Sequence, residues 1–369
     1  MSALSPMHLM RTMRYKQLSI SRRMPLLRPL YKPSDILRFV VVFAVIIFLF
    51  NHLLVPPPPP RTPFSPHPLE EPYYCQGDFG YSNLSLQEIQ SRRANFSEIN
   101  QFVYISKANR ACTSRSHVFL LILVKSAAGH FRKRRYIRNT WGNDARKRGH
   151  VVVFLLGYNQ EDSVFVNYEN EMYSDTIQQN FQDSYQNNTL KIKMAFDWIV
   201  NFCKSAQYIL LVDDDMYVNI RNAIHFISGL NKNNNSYLYS GYFIREPFPD
   251  RDPESKHYIS EQQYPFHCYP PYIAGASIFL NQHTIQRFFT VMPYIPYIPF
   301  DDVFIGFIAQ KLRINPSNNK LIRLGKNSFQ PHRASEIRCV ISQHGYEIDF
   351  MFRIAYNTTN SQIDTVFNK

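Results

Sequence analysis

Twenty residues, Ile36–Val55, are apolar apart from Arg38, Asn51 and His52, and five consecutive prolines, Pro56–Pro60, follow at once. No other feature constrains the fold so strongly. As a helix the apolar stretch is ~30 Å long, one hydrocarbon thickness. The proline tract, nine prolines over residues 56–72, favours extended polyproline II and builds no core. A compact domain must therefore begin beyond it. Upstream, residues 1–38 carry eight Lys or Arg against one acid, Asp35. This charge excess keeps the N-terminal side cytosolic. A cleaved signal peptide is the competing reading, but the leading segment is long and no small-x-small site follows the apolar run. The predicted organisation is a cytoplasmic tail (1–35), a transmembrane signal-anchor (36–55), a proline-rich lumenal stem (56–111) and a lumenal domain (112–369). Two features suit a lumenal location: Asn-x-Ser/Thr acceptors at Asn83, Asn95, Asn187, Asn234 and Asn357, and five cysteines, enough for two bridges.

Beyond residue 112 the hydropathy alternates. Val118–Val124 and Val151–Gly157 are continuous apolar runs of strand length, as in strands buried on both faces. Arg132–Trp141 reads as a helix. Ile192, Ala195, Phe196, Ile199, Phe202 and Cys203 recur at helical spacing. Tyr208–Val212 is a third buried strand, and it runs directly into Asp213, Asp214 and Asp215. The pattern predicts an α/β doubly wound sheet, in which ligands bind past the carboxyl ends of the strands.

Three adjacent carboxylates repel one another, and a divalent cation would offset that; hard oxygen ligands suit magnesium or manganese completed by phosphates. Asp213 and Asp215 project to one side of an extended segment and Asp214 to the other. A solvated acidic turn is the alternative. The pattern, followed by Met216-Tyr217-Val218-Asn219, is that of Asp-x-Asp nucleotide-sugar transferases.

Further segments extend the likeness: RRYIRNTWG (134–142), VFLLG (153–157), DSYQNNTLK (183–191), DDDMYVN (213–219), YPPYIAGASIFL (269–280), DDVFIG (301–306) and CVISQH (339–344). Together they resemble the β-1,3-galactosyltransferase family, glycosyltransferase family 31, in its order and over about residues 115–350. The resemblance implies a GT-A fold (a Rossmann-like nucleotide-sugar-binding sheet with helices on both faces), a Golgi type II topology, a UDP-sugar donor, manganese and an inverting mechanism. The chain departs from the family at Leu211, where Lys is frequent, at Ile273, where Cys is frequent, at Asp301, where Glu is usual, and at His257, which replaces an aromatic.

The resemblance also implies roles. Asp215 would be the direct metal ligand, with Asp213 and His344 as further ligands. Asp213 and Asp214 would contact ribose and uracil or ordered water. Inverting transfer needs a base for the acceptor hydroxyl. Asp302 is the first choice and Asp301 the second, although carboxylates also favour a helix start. Tyr272 and Gly275 would lie in the donor pocket. Arg134 and Arg138, four apart on one helix face, could reach the diphosphate or uracil.

Eight of the chain's bases lie in residues 132–148 against one acid. The net charge of +13 thus divides between this segment and the tail, which argues against nucleic acid as partner. The expected partners are a UDP-sugar, a glycan acceptor on a glycoprotein or glycolipid, and the membrane. The expected activity is β-1,3-galactosyl transfer. GlcNAc or GalNAc transfer and an inactive lectin-like relative are the alternatives.

Overall fold

The structure, a computed structural model, describes residues 102–113, 115–230, 237–244, 247–325 and 338–344. All of them belong to the second of two units into which the chain divides at Pro72. Among the described residues no helix is long and apolar enough to cross a membrane. The predicted span at Ile36–Val55 lies outside them, as do the tail and the sequons at Asn83, Asn95, Asn234 and Asn357.

In chain order the elements are β1 (Tyr104–Lys107), α1 (Arg110–Thr113), β2 (Val118–Lys125), α2 (Phe131–Asn139), α3 (Trp141–Lys147), β3 (Val151–Tyr158), α4 (Ser163–Tyr173), β4 (Thr176–Gln182), α5 (Asn188–Phe202), β5 (Ala206–Asp213), β6 (Met216–Val218) and α6 (Ile220–Ser228). Then follow β7 (Tyr239–Ile244), β8 (Tyr272–Asn281), α7 (Gln282–Val291), α8 (Asp301–Lys311), β9 (Ser317–Asn318), β10 (Ile322–Arg323) and β11 (Ser342–His344). Two short 3-10 turns lie among them.

The described strands form a mixed sheet ordered β1-β4-β3-β2-β5-β8-β7-β9 and a small second sheet ordered β10-β11-β6. β4, β3, β2 and β5 are mutually parallel. β1 is antiparallel to β4, and β8 is antiparallel to β5 and β7. The α/β expectation holds, with antiparallel strands on both flanks of a parallel centre.

Apolar runs form the central strands because both faces are covered. Leu121, Leu123, Ile209 and Leu211 pack with Ile192 and Phe196 of α5, Phe288 of α7 and Phe304 of α8. Their neighbours Leu120, Ile122, Leu210 and Val212 face the other way, onto Ile137, Trp141 and Ile227. Fully burying one such side chain contributes roughly 1.5–3 kcal/mol, so the paired faces dominate the stability.

Two boundaries differ from expectation. β1, inside the predicted stem, is an added strand of the sheet, and the Cys112–Cys203 disulfide ties α1 to the end of α5. The folded domain therefore starts before residue 112. The helix predicted over Arg132–Trp141 breaks at Thr140, whose φ of −121° and ψ of −119° are not helical. At Gly142 a Cβ would lie 2.5 Å from the Ile137 carbonyl oxygen, so this sharp turn requires glycine. The turn lets Trp141 reach the core, where its indole N–H donates to the Met216 carbonyl at 3.2 Å.

Candidate active site

The chain leaves β2 toward β3 on one side and returns as β5 on the other. Open α/β sheets bind ligands at the carboxyl ends of strands where the order reverses in this way. Lys125 ends β2 and Asp213 ends β5, and the register sets them directly opposite each other. A cleft of about 700 Å³ opens here. Asp213, Asp214, Asp215, Tyr272, Gly275, Asp301, Asp302 and His344, all expected from sequence, line it.

The three aspartates of the acidic run meet different fates. Asp213 Oδ1 accepts an ion pair from Lys125 Nζ at 2.9 Å. Burial pushes Asp213 up to about 6 while Lys125 pulls it down and Asp301 and Asp215 push it further up. Asp214 is buried: one oxygen accepts from the Ser126 hydroxyl at 2.7 Å and lies 2.7 Å from His130 Nδ1, and the other pairs with Lys133 Nζ at 2.9 Å. Burial opposes its charge, yet His130 and Lys133 outweigh it and hold the carboxyl below the usual range. Its two oxygens are thus already engaged within the protein.

Asp215 is different. Its Oδ1 is buried with no hydrogen-bond partner, and Oδ2 lies 3.4 Å from His344 Nε2 and 3.9 Å from Lys133 Nζ. The second sheet explains the meeting. β11 pairs antiparallel with β6, and His344 falls opposite Met216, one residue beyond Asp215. An orphaned carboxylate oxygen beside an imidazole fits a divalent cation that takes its remaining ligands from a diphosphate and water. The expected three-residue set is not assembled. Among the described residues no three His, Cys, Asp or Glu gather as a metal group, and the Asp213 carboxylate pairs with Lys125 instead.

Asp301 and Asp302 open α8, where the helix dipole favours anions. No side chain caps this helix from outside; Asp302 Oδ1 accepts the Val303 N–H at 2.8 Å and Oδ2 accepts the Gly275 N–H at 3.1 Å. Asp301 pairs with Lys125 Nζ. Burial first, then the neighbouring Asp301, pushes Asp302 up to about 7, against Lys125 and the two backbone donors. Its carboxylate in turn adds to burial in raising the Tyr272 phenol. Gly275 leaves room here: a Cβ there would lie 3.1 Å from Lys125 Nζ and 3.4 Å from Asp301 Oδ1.

Arg134 and Arg138 are corrected by the structure. Both are buried and neither lines the cleft. Arg134 forks onto Glu169 at 2.8–3.0 Å and donates to the carbonyls of Ala127 and Ala128. Arg138 bridges Glu169 and Asp175 and stacks 4.2 Å from the Tyr173 ring centroid. A buried guanidinium needs its counterions, and Glu169 of α4 and Asp175, just before β4, supply them. The pair staples α2 to the sheet from behind the cleft.

Lys125, Lys133, Lys191 and Lys256 do line the cleft, together with the imidazole of His130. Sequence reasoning assigned none of them a role. Lys191 is buried, pairs with Asp183 at 2.7 Å and donates to the Ser126 carbonyl at 2.8 Å. Asp183 also accepts the N–H groups of Ala128 and Gly157. Both residues stood in the quoted DSYQNNTLK segment, which was the available signal.

The family described as Galactosyltransferase matches residues 132–320. The rat UDP-GalNAc:beta-1,3-N-acetylgalactosaminyltransferase 1 is 33% identical over 261 residues, covering 67% of this chain and 77% of the relative. The zebrafish lactosylceramide 1,3-N-acetyl-beta-D-glucosaminyltransferase B is 30% identical over 71% of this chain and 72% of its own. The mouse beta-1,3-galactosyltransferase 5 is 33% identical over 54% and 65%. A solved glycosyltransferase involved in glycosylation of the major capsid of PBCV-1 is 10% identical, covers 61% of this chain and 93% of that one, and has a TM-score of 0.35, too low to add to the assignment. The chain belongs to the Galactosyltransferase family, whose relatives here are β-1,3-glycosyltransferases.

Proposed function

We propose that this chain is an inverting β-1,3-glycosyltransferase that moves galactose from UDP-galactose to a hydroxyl of a terminal glycan sugar. The observation that carries the reading is Asp302, anchored by two backbone N–H groups in the same cleft as the acidic run. The acceptor hydroxyl attacks the anomeric carbon; the new C–O bond forms as the bond to the UDP oxygen breaks, and that electron pair leaves on the diphosphate. Asp302 takes the hydroxyl proton. Its ionisation near neutral pH suits a general base. Asp215 and His344 would hold a manganese or magnesium ion, whose charge would offset that of the leaving diphosphate. Lys133, beside both Asp214 and Asp215, brings positive charge to the same end of the cleft. Tyr272 and Gly275 bound the donor space, where the missing Cβ admits a sugar.

N-acetylgalactosamine transfer is the second reading, favoured by the activity for which the rat relative is named. The N-terminal sequence supports a Golgi membrane protein with this domain in the lumen. The test is a donor screen on the full-length chain in detergent with manganese and UDP-galactose, UDP-GalNAc or UDP-GlcNAc, reading UDP release. UDP-galactose should be turned over fastest and EDTA should abolish release. Turnover of UDP-GlcNAc alone would overturn the donor assignment, and turnover of none would overturn the activity.

A further inference from the structure

Lys125 has no part in the bond-making steps above, yet it is a buried cation of the cleft that pairs with two carboxylates. Its side chain is 4% exposed. Nζ pairs with Asp213 at 2.9 Å on one side and with Asp301 on the other. One ammonium therefore joins the end of β5, which begins the acidic run, to the start of α8, which carries the base. These elements are far apart in sequence, and no other described ion pair links them.

We propose that Lys125 is a positioning residue: by gripping Asp213 and Asp301 at once, it fixes the distance between the acidic run and α8 and offsets the charge next to Asp302. The inference rests on the reading of Asp302 as the base. Several groups face Asp302. Asp301 adjoins it on α8, Lys125 comes from β2, and Tyr272 and the Gly275 N–H come from β8. Tyr239 of β7, Tyr269 before β8 and Tyr185 after β4 also feel its charge. Only Lys125 is a cation among these. With Lys125 removed, Asp213, Asp301 and Asp302 are three carboxylates lining one cleft without the ammonium that now pairs with two of them. Like-charged neighbours cannot all ionise freely, so the Asp302 proton leaves at higher pH. Removing Asp301 instead leaves the ammonium and deletes the like charge, so Asp302 ionises at lower pH. Opposite shifts from the two changes distinguish coupling from general damage.

The test is a carboxyl-carbon NMR titration of the full-length chain in detergent, labelled at aspartate, without donor or metal. The Asp302 signal is assigned by its loss in Asp302→Asn. Lys125→Met should move the midpoint up by about one unit, a tenfold change in proton affinity. Asp301→Asn should move it down, and the double variant should return toward wild type. Lys125→Arg, which keeps the charge, should stay within about half a unit of wild type. In parallel, kcat for UDP release from UDP-galactose at pH 7 should fall roughly tenfold in Lys125→Met and recover toward about pH 8.5. An unmoved Asp302 midpoint, same-direction shifts, or an equal loss of kcat at every pH would overturn the proposal. Should Lys125→Met fail to fold, Asp301→Asn and Lys125→Arg decide: a midpoint that stays put in the first, or moves by a full unit in the second, overturns it. The titration needs no substrate. If Asp302→Asn keeps full transfer while the midpoint still answers to Lys125, the base reading fails and the coupling stands.

Discussion

Glu169→Ala asks whether the two arginines of the RRYIRNTWG segment hold the fold or hold a ligand. Glu169 is buried and receives Arg134 through three close contacts and Arg138 through one. Arg134 has no other carboxylate partner among the described contacts, whereas Arg138 keeps Asp175. Arg134 itself is fully buried. Removing one partner of a buried pair costs about 3–5 kcal/mol, because the remaining charge stays buried. At about 2–4 °C per kcal/mol for a domain of this size, the melting temperature should fall by roughly 6–20 °C. Thermal unfolding of the full-length chain by circular dichroism reads this directly. Donor KM, measured well below the lowered transition, should stay within about threefold of wild type. Glu169→Gln, which keeps one acceptor and loses the charge, should fall between. A variant with unchanged melting temperature and a tenfold or greater rise in donor KM would refute the structural account and return the arginines to the diphosphate.

Other outcomes follow from the same geometry. kcat should rise with pH and reach half its maximum near 7, where the raised Asp302 ionises; a profile flat from pH 5.5 to 8 would exclude it as base. For the same group, the folded state keeps a proton to about 7 that the unfolded chain releases near 3.8. Its contribution to stability is full below about pH 4 and is lost as pH rises through 7, which urea titrations of wild type against Asp302→Asn will show. His344→Ala should raise the manganese concentration for half-activity about tenfold, and Asp215→Ala by more; equal metal response in both and wild type would remove them as ligands. Gly241→Ala should destabilise by at least about 1–3 kcal/mol, read by thermal melting. A Cβ there would lie 2.2 Å from Ile273 Cγ2 and 2.5 Å from the Ser277 carbonyl, at the bulge between β7 and β8.

Strands buried on both faces were the most legible part of the sequence. β2, β3 and β5 declare themselves as apolar runs because every position needs an apolar residue. β4, with the sequence TIQQNFQ, hides because its polar side chains are paired: Gln178 donates to the Gly157 carbonyl and Thr176 to Asn170. β1 was read as stem because four edge residues carry no such run. The acidic run and the Asp301–Asp302 pair were legible as chemistry, since uncompensated carboxylates after a strand or at a helix start demand an explanation. Their partners were not. Lys125 closes an apolar run as a single base, and only the parallel register of β2 with β5 places it opposite Asp213. Arg134 and Arg138 stood in a basic segment that looked like a ligand surface; their counterions, Glu169 and Asp175, are over thirty residues away in the chain. Local pattern reports charge, and tertiary pairing decides whether that charge is available to a ligand.

The most direct measurement is the anomeric and linkage NMR of the product formed from UDP-galactose by the full-length chain, for wild type beside Asp302→Asn. The account predicts a β-configured 1→3 linkage from the α-configured donor, and a loss of about 10²–10⁴ in rate when Asp302 can no longer take a proton. A product that retains the α configuration, or an Asp302→Asn chain that works at the wild-type rate, would contradict it.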